Sequence, residues 1–186
     1  MRYIVKAVPS RQQHVEYLQK HIPGLEVCWD QNKCAVDTML RSFEMGGTDA
    51  CVYLEDDIVL TKNFTSKLEQ VVAEKPRAVI QFFSMRKADL IVGSRWDNNF
   101  LMLQCVYFPS GLSQEILDYA PEWKRQTLSV HPQGTDIMVR DFLRHRHRKY
   151  YIHIPSLVDH REVVSAIDRR RSSKRQSFTF VDPQED

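Results

Sequence analysis

The stretch of residues 50–57, ACVYLEDD, decides the fold of this chain. Five apolar residues in a row, with Val52 and Tyr53 among them, are typical of a buried strand. Three carboxylates end that strand abruptly. Ligands of open α/β sheets gather at the carboxyl ends of strands, so this acidic triplet is a candidate site.

Strand-like and helix-like segments alternate on both sides of this stretch. Upstream, strands are predicted at 3–8 and 25–29, and each is followed by an apolar stripe with helical spacing. Downstream, a helical stripe over 64–72 leads to a strand at 78–83. The remaining predicted elements are strands at 100–108 and 150–154 and helices at 113–119 and 137–143. This order predicts an α/β domain with a mainly parallel open sheet flanked by helices.

Length and composition limit the class of protein. A chain of 186 residues, 42% hydrophobic and 27% charged, suits one globular domain and excludes a disordered chain. Its longest apolar runs are far below the roughly 18 residues that a membrane span needs, so we expect no membrane partner. The four cysteines (Cys28, Cys34, Cys51 and Cys105) form no C-x-x-C pair, which indicates reduced core thiols and a cytoplasmic location.

The formal net charge of +2 conceals a segregation of charge along the chain. Residues 1–139 carry 15 Lys/Arg and 17 Asp/Glu, whereas residues 140–175 carry 11 Lys/Arg and only 4 Asp/Glu. A basic block on a near-neutral body indicates an anionic partner, and a solvated basic surface is the alternative. Within this block the run 144–148, RHRHR, favours an anion-facing surface over a metal site because its own charge repels cations.

Glu55, Asp56 and Asp57 repel one another unless a positive group lies among them. A divalent cation carrying a diphosphate is the simplest such group, and carboxylate oxygens suit Mg²⁺ or Mn²⁺. The alternative is an exposed acidic turn that caps the next helix. The sequence contains neither G-x-x-x-x-G-K-[ST] nor G-x-G-x-x-G, so phosphates would be held mainly by metal and basic side chains.

Two motifs carry a family resemblance. Residues 53–58, YLEDDI, resemble the acidic D-x-D-type motif of GT-A glycosyltransferases, with Glu55 in the first acidic position. Residues 154–160, IPSLVDH, with Ser165 and Ile167 following, are similar to the P-x-L-V-x-H-x-x-x-x-S-x-I ending of glycosyltransferase family 25 and its phage-encoded relatives. The resemblance spans most of the chain. It implies a single GT-A-like, Rossmann-like domain over 1–167 and a basic-then-acidic tail over 168–186 that folds over the donor site.

The resemblance also implies roles for individual residues. Asp57 is expected to bind the metal directly and His160 to complete the protein's share of its coordination. Glu55 and Asp56 are expected to contact the nucleotide ribose or metal-bound water. The base and ribose of the nucleotide sugar are expected to be lined by Pro9, Ser10 and Arg11. The diphosphate is expected to be approached by Ser165, Arg169, Lys174 and Arg175.

Asp136 is the candidate general base. An inverting sugar transfer needs a group that takes the proton of the acceptor hydroxyl. Asp136 follows Gly134 and Thr135 just ahead of a predicted helix, and it resembles the acidic residue that GT-A enzymes place at this point. The alternative is that Asp136 only caps this helix. Among the three tryptophans, Trp96 is the best candidate for stacking on an acceptor.

These residues favour a cytosolic, metal-dependent glycosyltransferase that uses a nucleotide-diphosphate sugar, with a UDP-sugar as donor and Mn²⁺ or Mg²⁺ as cofactor. The acceptor hypothesis is a 5-hydroxymethylpyrimidine in double-stranded phage DNA, which would place the enzyme in the host cytoplasm. Lipopolysaccharide sugars and a virion protein are competing acceptors. Two hypotheses from other classes remain: a metal-dependent phosphohydrolase or nuclease, and a non-catalytic nucleic-acid-binding protein.

Overall fold

A computed structural model describes residues 1–127, 134–164 and 175–185. Its strands are β1 (Arg2–Ala7), β2 (Glu26–Trp29), β3 (Cys51–Glu55), β4 (Ile58–Leu60), β5 (Val79–Gln81), β6 (Arg95–Asp97), β7 (Cys105–Phe108), β8 (Tyr150–Ile152) and β9 (Val158–His160). Its helices are α1 (Gln12–His21), α2 (Ala35–Gly46), α3 (Phe64–Glu74), α4 (Asp89–Val92), α5 (Leu112–Thr127) and α6 (Thr135–His145). A short 3₁₀ turn, Pro9–Arg11, precedes α1.

A seven-stranded sheet in the order β2-β1-β3-β7-β5-β8-β6 organises the domain. Strands β1, β2, β3, β5 and β8 run in the same direction, and β7 and β6 run against them. The sheet is therefore mixed but mostly parallel. This confirms the predicted α/β class, a single Rossmann-like domain with helices around an open sheet.

Successive side chains along the strands point to opposite faces of the sheet and pack into two apolar cores, one on each face. Ile4 and Tyr53 point to one face, where α2, α5 and α6 pack. Val5 and Leu54 point to the other face, where α1 and α3 pack. This alternation is the period-two pattern of strands that are buried on both faces.

Several predicted boundaries need correction. The predicted strand at 100–108 is confined to Cys105–Phe108, because residues 100–103 form irregular chain. The helix predicted at 113–119 extends over Leu112–Thr127. Strands β4, β6 and β9 were not predicted. Each has three residues, as β5 and β8 do, but β6 and β9 contain charged residues and β4 directly follows the acidic triplet, so none lies in a longer apolar run.

The C-terminal residues 175–185 lie against the small antiparallel ribbon formed by β4 and β9. Gln184 N–H donates to Leu60 O at 2.7 Å, and Lys62 N–H donates to Asp182 O at 2.9 Å. The predicted domain boundary after residue 167 falls outside the described residues. In the parts of the chain that the structure describes, no helix has the length and apolar character needed to cross a membrane.

Candidate functional site

A cavity opens at the carboxyl ends of β1 and β3, where the sequence predicted a site. Parallel strands end at the same edge of a sheet, so the turn after β1 and the acids after β3 meet there. The irregular segment before β7 and the first turn of α6 close the opposite side. The charged residues in its wall are Lys6, Arg11, Asp30, Glu55, Asp56, Asp57, Asp136 and Arg175.

Arg11 bridges the carboxylates of Asp56 and Asp57. One guanidinium nitrogen, Nη1, lies 2.7 Å from Asp56 Oδ1 and 2.9 Å from Asp57 Oδ2. The second oxygen of Asp56 accepts the Val8 N–H at 2.8 Å. All three side chains are at least 88% buried. Arg11 therefore neutralises the carboxylates from the cavity wall, in addition to lining the cavity as the resemblance implies.

The other two residues of that turn lie elsewhere. Pro9 and Ser10 are exposed and are not part of the cavity wall. Pro9 begins a 3₁₀ turn, and within it Pro9 and Ser10 lie outside the cavity whereas Arg11 lines it. Their predicted contact with a base and ribose finds no support in this geometry.

Asp57 and His160 meet through the β4–β9 ribbon. Ile58 pairs with His160 across the two strands, and the Arg161 N–H donates to Asp57 O at 2.8 Å. This pairing brings His160 Nε2 to 3.2 Å from Asp57 Oδ2, although the two residues are far apart in sequence. The structure therefore brings together the two residues predicted as metal ligands.

Arg175 also contacts His160. Its Nη2 lies 2.6 Å from His160 Nε2, the same nitrogen that lies 3.2 Å from Asp57 Oδ2. The second carboxylate oxygen, Asp57 Oδ1, is buried and accepts no hydrogen bond from the described residues.

Asp57 and His160 would suit a divalent cation with Arg175 displaced from His160 Nε2, because that nitrogen has a single lone pair to donate. Two neighbouring ligands of an octahedral ion, each about 2.1 Å from the metal, lie about 3 Å apart, close to the 3.2 Å between Asp57 Oδ2 and His160 Nε2. No group of three His, Cys, Asp or Glu side chains suited to a metal occurs within the described ranges. The protein would therefore supply two ligands, and water or a bound phosphate the others.

The three acids differ in ionisation. Burial alone would raise the pKa of Asp57, but its contact with His160 and the guanidinium groups of Arg11 and Arg175 hold that pKa at about 2. Burial raises the pKa of Asp56, although the hydrogen bond from the Val8 N–H and the charge of Arg11 act to lower it. Burial likewise raises the pKa of Glu55, although the charge of Lys6 acts to lower it. Asp57 is thus the acid most firmly held as an anion.

Asp136 faces the cavity from the second position of α6. The residue that caps this helix is Gly134, so the alternative that Asp136 is the cap is wrong. Its carboxylate accepts the Ile137 N–H at 3.0 Å and a long contact of 3.5 Å from the Met102 N–H. These contacts leave acceptor capacity on the carboxylate, and an acid in the first turn is favoured by the helix dipole.

Lys6 belongs to the site although the sequence analysis did not select it. It is a charged residue that follows the apolar interior of β1, and its ammonium lies 3.8 Å from Glu55 Oε1. A charged residue inside an apolar strand was the signal that could have found it. The predicted phosphate contacts Ser165, Arg169 and Lys174 lie outside the described residues, so Arg175 is the one member of that set that can be placed.

The basic block of the sequence does not act as one surface. Helix α6 starts at the cavity with Thr135 and ends at His145. At 1.5 Å per residue this helix carries the run 144–149 about 15 Å away from the cavity. Among the described residues of the block, Arg175 lines the cavity beside the acids. The acidic loop therefore meets the basic segment at Arg175 but not at 144–149, and a diphosphate between them stays a prediction.

The tryptophans and the cysteines also differ among themselves in burial. Trp123 is buried and donates its indole N–H to Asp141, whereas Trp96 is 52% exposed on β6, away from the cavity. All four cysteines are free thiols. Cys28, Cys51 and Cys105 are buried as predicted, whereas Cys34 is half-buried against the core rather than within it.

Comparisons with known proteins bear on the fold. No protein-family model and no curated protein sequence matches the chain. Among solved structures, the chain is similar to the crystal structure of A197 from STIV, with a TM-score of 0.51 and 16% identity. That match covers 100% of this chain and 99% of the other. At this identity the likeness supports the α/β fold and carries no statement about activity.

Proposed function

We propose that this chain is a metal-dependent glycosyltransferase that transfers a sugar from a nucleotide-diphosphate donor, a UDP-sugar, to a hydroxyl acceptor. The observation that carries the proposal is the cavity at the ends of β1 and β3. It combines an oxygen of Asp57 that has no hydrogen-bond partner among the described residues, the neighbouring His160, the cationic side chains of Lys6 and Arg175, and a separate carboxylate, Asp136.

The donor's charges match the wall of the cavity. A diphosphate leaving group gains negative charge as the bond to the sugar breaks, and fixed cations lower the cost of that charge. Lys6 and Arg175 are the cations placed to do so. Asp57 and His160 would hold Mn²⁺ or Mg²⁺, which supplies further stabilisation of the diphosphate when bound.

Asp136 completes the reaction. The acceptor oxygen forms a bond to the anomeric carbon as the bond from that carbon to the diphosphate oxygen breaks. The proton of the acceptor hydroxyl passes to the Asp136 carboxylate, which faces the same cavity from α6. We propose a reducing compartment such as the cytoplasm for this reaction, since the four cysteines are free thiols.

Titration with UDP, with and without Mn²⁺, tests the donor site. We expect UDP to bind only with the metal, and Asp57→Asn and His160→Gln to lose that binding. Asp118→Asn is the matched control because Asp118 is an exposed acid on α5. Equal UDP affinity in chelator and in Mn²⁺, retained by Asp57→Asn, would contradict the proposal.

The acceptor needs a separate experiment. A 5-hydroxymethylpyrimidine in DNA is the first acceptor to test, followed by lipopolysaccharide and virion protein. Mass analysis of nucleosides from hydroxymethylcytosine DNA, after incubation with a panel of sugar donors, reports transfer directly. UDP release without any glycosylated product in the panel would leave the donor half of the proposal standing and remove DNA as acceptor.

The competing functions have less support. A two-metal phosphohydrolase or nuclease needs enough converging carboxylates for two ions, whereas Asp56 is paired with Arg11 and the Val8 N–H, which leaves ligands for one ion at most beside Asp57. A purely nucleic-acid-binding protein would use the run 144–149 and leave the cavity without a role. Unchanged DNA affinity in Asp57→Ala, together with no UDP binding, would favour the binding protein.

A further inference from the structure

Arg175 lies where a metal held by Asp57 and His160 would bind. Its Nη2 is 2.6 Å from His160 Nε2, and the same imidazole nitrogen is 3.2 Å from Asp57 Oδ2. A divalent ion would approach that nitrogen to about 2.1 Å. The nitrogen has one lone pair, so the guanidinium and a metal cannot both contact it. One of the two must leave when the other binds.

Each carboxylate of the acidic triplet 55–57 already has a cationic side chain nearby. The Lys6 ammonium lies 3.8 Å from Glu55 Oε1, and Arg11 Nη1 bridges the next two carboxylates at 2.7 and 2.9 Å. Arg175 is a further cation in the same cavity wall. A divalent ion placed beside Arg175 would be repelled by it, because both groups are positive. The guanidinium therefore occupies the position of a counter-ion in the metal's place.

The chain just after Arg175 is held firmly against the β4–β9 ribbon. The Ser177 N–H donates to Asp159 Oδ1 at 2.7 Å, and the Ser177 hydroxyl donates to Ser156 Oγ at 2.9 Å. The Ser156 N–H donates to the hydroxyl oxygen of the buried Thr179 at 3.1 Å. These bonds keep the backbone of Arg175 beside the site, while its side chain can change rotamer. The guanidinium can thus move without the segment.

Two atoms at this contact have unused hydrogen-bonding capacity. Arg175 Nε and Asp57 Oδ1 are both buried, and neither has a hydrogen-bond partner among the described residues. A buried polar atom without a partner is unfavourable. Phosphate oxygens accept from a guanidinium, often through two parallel bonds, and a divalent ion binds a carboxylate oxygen. A metal together with a diphosphate would therefore give both atoms the partners that they lack.

We propose that Arg175 is a resident counter-ion that makes metal binding by Asp57 and His160 depend on the nucleotide diphosphate. Without nucleotide, the guanidinium stays on His160 and competes with the metal. When a diphosphate enters the cavity, Arg175 moves from His160 to phosphate oxygens and leaves the imidazole free. Metal and nucleotide then raise each other's affinity by the same factor. This inference rests on the proposed function, since it takes a nucleotide diphosphate as the ligand.

The alternative is a purely structural role, in which Arg175 only ties the C-terminal segment to β9. Its removal would then lower the stability of the protein and leave the metal affinity unchanged or weaker. Competition predicts the opposite sign, a gain in metal affinity when a native contact is removed. The sign of the change therefore separates the two roles.

Binding of Mn²⁺ to the full chain, stripped of metal and followed by electron paramagnetic resonance, tests the proposal. Without nucleotide, Arg175→Met should bind Mn²⁺ about tenfold or more tightly than the wild type, because no charge-assisted contact has to break first. With saturating UDP, the two proteins should bind Mn²⁺ about equally. The factor by which UDP raises Mn²⁺ affinity should therefore fall in the variant by the same amount.

Arg148→Met is the matched control, since Arg148 pairs with Glu115 at the surface, and it should bind Mn²⁺ as the wild type does. Arg175→Gln should behave as Arg175→Met, and circular dichroism should show every variant folded. Equal Mn²⁺ affinity of the wild type and both Arg175 variants without nucleotide would overturn the inference and leave the proposed metal site standing. Absence of Mn²⁺ binding in all of these proteins, with and without UDP, would remove the proposed metal site and the inference with it.

Discussion

Replacement of Arg11 by methionine is the sharpest test of the candidate site. The methionine keeps most of the aliphatic stem but removes the guanidinium that contacts Asp56 at 2.7 Å and Asp57 at 2.9 Å. The two carboxylate side chains are 6% and 7% exposed, so Asp56 loses its counter-charge while buried, and Asp57 loses one of the positive groups around it. Removing one partner of a buried ion pair costs about 3–5 kcal/mol. Because water can enter the cavity, we expect the lower end, about 3 kcal/mol.

Thermal unfolding in the presence of a chelator measures this loss. For a chain of this size, about 3 kcal/mol corresponds to a fall in Tm of about 6–12 °C at pH 7. Arg148→Met is the matched control. Arg148 pairs with Glu115 at the surface, where both side chains are more than a third exposed, and such pairs contribute at most about 1 kcal/mol. A Tm for Arg11→Met no lower than that of Arg148→Met would refute the buried cluster.

Acidification provides a second readout of the same substitution. The pKa of Asp57 is about 2 in the folded chain and 3.8 as its ordinary value. A lowered pKa contributes stability that is fully present above about pH 3.8 and is lost as the pH falls through about 2. Arg11→Met raises the pKa of Asp57 and removes part of this contribution. The gap in stability between the wild type and Arg11→Met should therefore narrow between pH 4 and pH 2, and a constant gap would contradict the electrostatic explanation.

The remaining predictions concern packing and catalysis. A Cβ on Gly46 would collide with the Tyr53 hydroxyl and with Cys51, so Gly46→Ala should cost about 1–3 kcal/mol in urea unfolding. Tyr53→Phe removes the colliding hydroxyl and its hydrogen bond to Ser113, so the double variant should lose less stability than the sum of the two singles; strict additivity would contradict the collision. Asp136→Asn should leave UDP affinity unchanged and lower kcat about 10²–10⁴-fold, and a fully active variant would exclude this residue as the base.

The core of the fold was predictable because its signals are local. The apolar run at 51–54 and the helical stripe of α2 each lie within one element, and their periods survive in the structure. Strands β4, β6 and β9 gave no such signal, whereas the equally short β5 and β8 lie within longer apolar runs at 78–83 and 150–154. Strand β9 is recognisable only by its pairing with β4, which joins residues that are far apart in sequence.

The site was predictable in part for the same reason. The acids follow a strand directly, and parallel strands must end at one edge, so their meeting with the turn after β1 followed from the sequence. The ion pairs of Arg11 with Asp56 and Asp57 could not be predicted from the sequence, because they depend on where the 3₁₀ turn points the Arg11 side chain. Lys6 was overlooked because its strand appeared to be an apolar run.

The sequence by itself determined the layered α/β architecture and the acidic strand end, since each depends on residue type and spacing over a few turns or strands; the burial of Asp56 and Asp57 came from the tertiary structure. The tertiary structure alone decided which basic residues lie at the cavity and which lie far from it. Helix α6 separates the run 144–149 from the cavity by its length, while the C-terminal segment returns Arg175 to His160. Charge counts along a chain do not contain distances in space, and Coulomb interactions depend on those distances.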